Sequence, residues 1–129
     1  AEPGRYFSTK SHVLVFNVIG KRKYVDENNE TRFDYYMNDG IYGSFNSIVF
    51  DGAAPHIHPF NNNKNSALYK SAVFGPTCDD MDVVTRCVEL PELQVGECLY
   101  VEDFGAYTQV SASDFNGFAI TESNYVFRY

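Results

Sequence analysis

The chain has 129 residues, of which 44% are hydrophobic and 16% aromatic, and it carries a net charge of −7. This length and apolar content predict one folded domain and exclude a disordered chain. The acidic balance excludes a nucleic-acid binder, which needs a basic stripe, and no apolar run approaches the ~20 residues that cross a bilayer.

The only local cluster of basic residues is Lys21-Arg22-Lys23, which we interpret as the solvated end of a strand. The three cysteines, at positions 78, 87 and 98, form an odd and sparse set. Such a set predicts free thiols in a reducing compartment, and therefore a cytoplasmic protein. The chain begins with Ala1 and enters a motif at once, so we expect it to be a piece of a longer protein.

The first half of the chain predicts strands and turns. Residues 12–20 are nearly all apolar and β-branched, which favours a strand buried on both faces. A polar turn at 26–30 separates this strand from a second one over Thr31–Met37, so residues 18–37 are expected to form a hairpin. A further strand is predicted over Gly43–Phe50.

The second half continues this pattern. Residues 52–69 are loop-like, and Tyr69–Phe74 predicts a short strand that runs into Gly75-Pro76. Met81–Leu90 predicts one or two helical turns that end at Pro91. Three more strands are predicted, over residues 96–102, 106–111 and 125–129. Many short strands with frequent turns favour an all-β barrel or sandwich.

Two segments have residue types suited to binding. Glu2-Pro3-Gly4-Arg5 combines a proline turn, a glycine that lets backbone N–H groups approach closely, and an arginine fork for phosphate oxygens. Taken alone, such a segment is more often a simple turn. Gly75-Pro76-Thr77-Cys78-Asp79 is a shaped loop at a strand end, where functional sites often collect. Its alternative interpretation is a buried Cys78 and an Asp79 that caps the following helix.

The remaining candidates are isolated side chains. Asp51 follows an apolar strand and is either a turn carboxylate or a ligand for a cationic group. His56 and His58 would share one strand face, but a closed zinc site is not expected, because only His12 remains as a further histidine. Tyr107 is a core or edge aromatic. The residues alone therefore predict an acidic β-domain with a candidate anion site and a shaped Cys-Asp loop.

Taken together, five segments resemble the ornithine-decarboxylase family of pyridoxal-phosphate (PLP) enzymes. They occur in the family's order and span nearly the whole chain: residues 2–5, 35–46, 75–79 with Asp82, 105–108 and 115–118. The resemblance implies a mainly β, Greek-key barrel, the C-terminal domain of an alanine-racemase-like two-domain fold whose TIM-like barrel is missing here. Residues 1–10 would be a remnant of that TIM-like barrel, and residues 11–129 would be the β-barrel domain.

The resemblance implies PLP as the cofactor and four residues that would contact it. Glu2 would face the pyridine nitrogen and keep it protonated, which preserves the ring as an electron sink. Gly4 would offer a backbone donor to the cofactor phosphate, Arg5 a positive charge and Tyr107 a hydroxyl donor. The Schiff-base lysine would lie in the missing barrel, so the fragment is expected to be inactive alone and not to bind PLP.

The resemblance also implies how the substrate is handled. Cys78 would donate a proton to the substrate Cα once CO₂ has left, since a thiol holds its proton at neutral pH yet can release it to carbon. Asp51 and Asp79 would bind the distal ammonium of a small cationic amino acid, and Phe115 would line the pocket. In this family the site forms at a two-fold dimer interface, so Asp51 and Asp79 would come from different subunits.

Tyr42 and Asp82 are expected at that interface, Asp82 pairing with a lysine of the partner's barrel. The implied function is the conversion of L-ornithine to putrescine and CO₂ in polyamine biosynthesis, with antizyme as a partner mainly through the missing domain. In the diaminopimelate branch a glutamate follows the matching cysteine. Asp79-Asp80 follows it here and favours a diamine-forming substrate. The segment after Asp51 departs from the family pattern, and Phe50 replaces a common tyrosine.

Two alternatives stay open. One is a non-catalytic regulator resembling the antizyme inhibitors, which tend to lose cofactor contacts. The retained side chains argue against it, namely Arg5, Asp51, Cys78, Asp79 and Tyr107. The other is a related arginine or lysine decarboxylase, because residues of the missing domain contribute to pocket length.

Overall fold

The fold is a curled β-sheet with short helices around it. A computed structural model describes residues 1, 3–61 and 65–127. The strands are β1 (Leu14–Val25), β2 (Thr31–Met37), β3 (His58–Pro59), β4 (Leu68–Phe74), β5 (Val83–Pro91) and β6 (Cys98–Val101). The helices are α1 (Gly4–Ser8) and α2 (Ser47–Phe50), with 3₁₀ turns at Thr9–Ser11, Ser44–Asn46, Gln109–Ser111 and Phe115–Gly117. The predicted mainly β fold is confirmed.

Strand β1 joins the two parts of the sheet. Its first half, from Leu14 to Asn17, pairs antiparallel with β6, and its second half pairs antiparallel with β2. The register shifts between Val18 and Gly20, and such a bulge bends a strand and increases its twist. The strand order is β3-β6-β1-β2-β4-β5, with β2 and β4 parallel, and the sheet curls into a half-barrel.

The core is built from side chains of β1, β2 and the 3₁₀ turn Ser44–Asn46, together with residues from the other strands. The largest fully buried side chains are Phe16, Phe33, Tyr35, Met37 and Phe45. Strand β1 alternates buried and exposed residues. The expectation that this strand is buried on both faces is therefore wrong in the described chain, where Val15 remains 47% exposed.

The predicted hairpin is confirmed, and β2 has the predicted bounds. Its turn is closed by Asp26, whose Oδ1 accepts hydrogen bonds from the backbone N–H groups of Asn28 and Glu30 at 2.9 and 3.0 Å. Strand β4 starts one residue before the predicted Tyr69, and β6 lies inside the predicted range 96–102.

The strand predicted over Gly43–Phe50 is wrong, because this segment forms a 3₁₀ turn followed by α2. The reason is a buried carboxylate upstream: Asp39 Oδ1 accepts a hydrogen bond from the Ser44 N–H at 2.8 Å. The N–H groups of Gly43 and Phe45 donate to the Gly40 carbonyl at 3.0 Å each. These local bonds use the donors that a strand ladder would need.

The helical turns predicted over Met81–Leu90 are also wrong, since Val83–Pro91 is strand β5 and pairs antiparallel with β4. The β-branched residues Val83, Val84 and Thr85 fit a pleated surface better than a helix. Pro91 is the last residue of this strand. A proline suits that place because β5 ends the strand order and proline cannot donate to a ladder.

Two further predicted strands do not form among the residues that the structure describes. Tyr107 has a φ of 54°, which breaks an extended chain, and Gln109–Ser111 forms a 3₁₀ turn in place of the strand over 106–111. Residues 125–127 have no regular structure. The last two residues of that predicted strand lie outside the described residues.

The basic cluster Lys21-Arg22-Lys23 lies within β1, and its side chains form ion pairs in addition to facing solvent. Lys21 Nζ lies 3.0 Å from Glu92 Oε1, and Arg22 Nη2 lies 2.5 Å from Oδ2 of the buried Asp34. The hydrogen bond from Lys21 lowers the pKa of Glu92. In the part of the chain that the structure describes, no helix is both long and apolar enough to cross a membrane.

Candidate functional site

The structure sorts the predicted site residues into two groups. One group surrounds the loop that carries Cys78 and Asp79, and the other surrounds Arg5 and Tyr107. Among the described residues, the hydrogen bonds, the ion pair and the ring contacts of the predicted site residues stay within one group or the other.

The first group brings together Cys78, Asp79, Phe115 and Tyr42. The Tyr42 hydroxyl donates a short hydrogen bond to Asp79 Oδ2, and the Tyr42 ring stacks on the Phe115 ring with centroids 4.1 Å apart. Cys78 is an exposed free thiol. The alternative interpretation of a buried Cys78 is therefore wrong, and no helix follows for Asp79 to cap, since the next element is β5.

Tyr42 and Asp79 change one another's titration. The hydrogen bond from Tyr42 is the main cause that lowers the pKa of Asp79, and a hydrogen bond from the Met81 N–H adds to it. The same bond to Asp79 raises the pKa of Tyr42 to about 12. Asp79 is thus held as a carboxylate next to an exposed thiol.

Asp82 holds this loop in place from inside the chain. It is 2% exposed. Its Oδ1 accepts a hydrogen bond from the Ile41 N–H at 2.9 Å, and its Oδ2 accepts from the Thr77 N–H and hydroxyl at 3.0 and 2.7 Å. A Cβ on Gly40 or Gly75 would collide with its carboxylate. Asp82 therefore has a structural role within the chain, and its predicted pairing with a partner lysine stays a prediction.

The second group brings together Gly4, Arg5, Tyr107 and Asp51. Arg5 Nη2 donates to Asp51 Oδ2 at 2.9 Å, and the guanidinium carbon lies 5.0 Å from the centre of the Tyr107 ring. Both charged side chains are partly exposed. Helix α1 thus places the Arg5 guanidinium between the Asp51 carboxylate, at the end of α2, and the Tyr107 ring.

A cavity of about 380 Å³ opens beside Arg5. Its wall is formed by residues of the segment 53–58, which ends at the start of β3, by residues of the segment 101–106, which begins at the end of β6, and by Ser47 and Thr108. His56 and His58 belong to this wall, and the His58 ring lies 5.2 Å from that of Tyr100. Among the described residues, no group of three or more His, Cys, Asp or Glu side chains could hold a metal ion.

The second group fits the phosphate of PLP. Arg5 supplies a charged fork and Tyr107 a hydroxyl donor, and phosphate oxygens accept from both. Gly4 lies close to this phenol, since a Cβ there would be 2.5 Å from the Tyr107 hydroxyl. Glu2, predicted to face the pyridine nitrogen, lies outside the described residues, and its role stays a prediction.

The sequence interpretation missed two side chains that shape the first group. Asn116 Nδ2 lies 3.7 Å from Cys78 Sγ, and Thr77 ties the loop to Asp82. The Asn116-Gly117 pair is a strong turn signal, because both residues tolerate positive φ. That signal predicts the turn, but the contact with Cys78 depends on a tertiary approach across 38 residues of chain.

Comparison with known proteins places this geometry in a family. The family model described as the C-terminal sheet domain of the pyridoxal-dependent decarboxylases matches residues 6–105. The antizyme inhibitor 2 of Xenopus laevis is 45% identical over 97% of this chain and 29% of its own length. The ornithine decarboxylase of Cricetulus griseus is 43% identical over 98% of this chain and 29% of its own length.

Two solved structures have the same fold. The arginine decarboxylase of Paramecium bursaria Chlorella virus, bound to agmatine, has a TM-score of 0.80 at 35% identity and is matched over 89% of this chain and 30% of its own. The lysine/ornithine decarboxylase of Vibrio vulnificus, with cadaverine, has a TM-score of 0.79 at 34% identity over 90% and 30%. The chain spans about 30% of the length of the proteins it matches.

Proposed function

Because the chain belongs to the pyridoxal-dependent decarboxylase family, as a C-terminal sheet domain, we propose that it supplies half of the active site of an ornithine decarboxylase. The full-length enzyme would convert L-ornithine to putrescine and CO₂. The observation that carries this proposal is the exposed thiol of Cys78 next to the carboxylate of Asp79, which Tyr42 keeps ionised.

The cofactor would be PLP, which when bound accepts the electrons left behind as CO₂ departs. On this chain, Arg5 and Tyr107 would hold the phosphate, and Gly4, which lies close to the Tyr107 hydroxyl, would offer a backbone donor to it. Glu2 would face the pyridine nitrogen. We propose residues 1–10 as the part that belongs to the cofactor-binding barrel and residues 11–129 as the sheet domain. The chain alone would be inactive.

Cys78 would deliver a proton to the substrate Cα. Its S–H bond breaks as the new C–H bond forms, and the amine product results when the proton reaches that carbon. Asp79 would bind the distal ammonium of the substrate, because a carboxylate kept ionised pairs best with a cation. Phe115, stacked on Tyr42, would give that part of the pocket an apolar wall.

The separation of the two groups supports a site shared between two subunits. Asp51 lies with Arg5, whereas Asp79 lies with Cys78. In a two-fold dimer, the loop of one subunit would reach the phosphate-binding group of the other, so that Asp51 and Asp79 meet around one ammonium. Tyr42 and Asp82 would then lie near the interface.

The test is a comparison of L-ornithine, L-lysine and L-arginine as substrates of the full-length protein with PLP. We expect CO₂ release and putrescine formation to be fastest with ornithine. Faster release from arginine or lysine would assign the chain to a related decarboxylase, since neighbours of the same fold include an arginine decarboxylase and a lysine/ornithine decarboxylase.

A second candidate function is a regulator without catalytic activity, and the similarity to an antizyme inhibitor favours it. The two candidate functions differ in whether the protein binds the cofactor. A catalytic protein would bind PLP and show the visible absorbance of the protein-bound cofactor. The regulator would instead bind antizyme and release no CO₂. Absence of that absorbance in the full-length protein would favour the regulator.

A further inference from the structure

The side chain of Asn116 donates a hydrogen bond to the sulfur of Cys78. Its Nδ2 donates toward Sγ over 3.7 Å, a distance that suits the large radius of sulfur. Both residues are exposed, so the contact lies where a substrate could reach the thiol. Nothing in the proposed function uses this amide.

The backbone at Asn116 is shaped for this contact. Its φ and ψ are 59° and 18°, and Gly117 follows with a φ of 80°. Asparagine is one of the few side chains that enter the left-handed region at low cost. The turn directs Phe115 toward Tyr42 and the next side chain toward Cys78.

The segment that carries Asn116 is fixed on both sides. On one side, the Ser113 N–H donates to the Tyr42 carbonyl at 2.8 Å. On the other side, the Thr121 hydroxyl donates to Asp39 Oδ2 at 2.8 Å. Asp39 is buried, so this anchor belongs to the interior. The amide is therefore held against the sulfur by a built segment of the chain.

We propose that Asn116 is a positioning residue for Cys78: its N–H donates to the sulfur, orients the thiol and stabilises the thiolate. This inference rests on the proposed function. When the thiol gives its proton to the substrate carbon, the S–H bond breaks and the negative charge stays on sulfur. A donor that faces the sulfur stabilises that charge, and the delivery of the proton to the correct carbon becomes faster.

The experiment compares Asn116→Asp and Asn116→Gly in the full-length protein. Aspartate keeps the size and tolerates the same backbone, but its carboxylate cannot donate and would oppose a thiolate. Glycine also adopts the positive φ of this position, and it removes the side-chain amide. The matched control is Asn29→Gly, because Asn29 has a φ of 61° in the β1–β2 turn.

The first readout is peptide-resolved alkylation by iodoacetamide, a neutral reagent, with Cys87 as the internal reference because it is also an exposed free thiol. We expect Asn116→Asp to slow the alkylation of Cys78 by roughly threefold or more while that of Cys87 is unchanged. An unchanged rate at Cys78 would overturn the proposal. This readout does not require decarboxylase activity, so it separates a failure here from a failure of the proposed function.

The second readout is the partition of the decarboxylated substrate between amine and aldehyde. Both Asn116 variants should form more aldehyde, with KM for ornithine and PLP affinity unchanged, and Asn29→Gly should behave as the wild type. A KM change without a partition change would mean a structural role and would refute the positioning role.

Discussion

Cys78 and Cys87 are both exposed thiols, but their surroundings differ. Cys78 has the amide of Asn116 beside its sulfur and a carboxylate as its next residue, whereas Cys87 lies within the strand β5. A proton donor needs access to the substrate, and a thiol exposed on a shaped loop has that access.

We therefore expect Cys78→Ala in the full-length enzyme to lower putrescine formation by roughly 100-fold, the usual scale of lost general acid catalysis. The remaining flux should turn to an aldehyde and an inactive amine form of the cofactor, since protonation then occurs at the wrong carbon. Product analysis by mass spectrometry measures both. Cys87→Ala is the matched control, and the proton-donor role is wrong if the two variants behave alike.

Tyr42 and Asp79 make a pH-dependent contribution to stability. Asp79 has a lowered pKa, so its share is fully present above its ordinary value of 3.8 and is lost as the pH falls through the lowered value. Tyr42 has a raised pKa, so its share is fully present below its ordinary value of 10.0 and is lost as the pH rises toward about 12.

For Tyr42→Phe we predict a loss of unfolding free energy that is constant from about pH 5 to about pH 9 and shrinks on both sides. Denaturant unfolding of wild type and variant over this range gives the difference directly. Tyr100→Phe is the control, because it removes a hydroxyl from a ring that also packs against other rings, those of His58 and Phe60. A Tyr42→Phe difference that stays flat from acid to alkaline pH would contradict the assignment.

At the scale of elements, the loop with Cys78 is held by one buried carboxylate. Asp82 joins the Gly40-Ile41 turn to Thr77, and two glycines leave it the room to do so. A loop fixed in this way keeps its thiol and its carboxylate at set positions before any ligand arrives, which lowers the ordering cost of binding.

Gly75→Ala tests this element. Its Cβ would collide with the Asp82 carboxylate, so we expect the unfolding free energy to fall by about 1–3 kcal/mol and KM for ornithine to rise. Gly20→Ala is the control, because a Cβ there would meet its nearest atom, in Tyr36, at an ordinary 3.6 Å. Equal effects of the two substitutions would show that the Asp82 contact does not fix the loop.

The elements also show what a sequence can predict. The strand Thr31–Met37 was predictable from the sequence. It directly follows a polar turn, and the strand with which it pairs lies just before that turn in the chain. The segment 43–50 was not, because its helical form depends on the buried Asp39 upstream. The helical turns predicted over 81–90 ignored a β-branched run that favours β5. Local pattern works where the partners are close in the chain.

The candidate site follows the same rule. Composition and spacing alone predicted a shaped loop and left open whether Cys78 is buried, and resemblance to a family suggested its role. The contacts of Cys78 with Asn116 and of Asp79 with Tyr42 cross 38 and 37 residues. No local pattern reports such approaches, so these contacts become visible only in the fold.

At the scale of the whole molecule, the two groups of site residues allow a test of the proposed sharing of each site between two subunits. If one site takes Asp51 from one subunit and Asp79 from the other, then Asp51→Ala and Asp79→Ala should each inactivate the pure dimer. In a mixed dimer of the two variants, one site carries both substitutions and the other carries none. One intact site per mixed dimer is therefore expected.

Random mixing makes half of the dimers mixed, each with one intact site of two, so we expect about a quarter of the wild-type activity. The measurement is CO₂ release after the two purified variants are exchanged into common dimers. Cys78→Ala mixed with Asp79→Ala is the control and should recover no activity, because both substitutions lie on one loop and every site then carries one of them. No recovery in the test pair would show that each site is built within a single subunit. Recovery in the control would show that Cys78 and Asp79 of one site come from different subunits, and would contradict the shared loop.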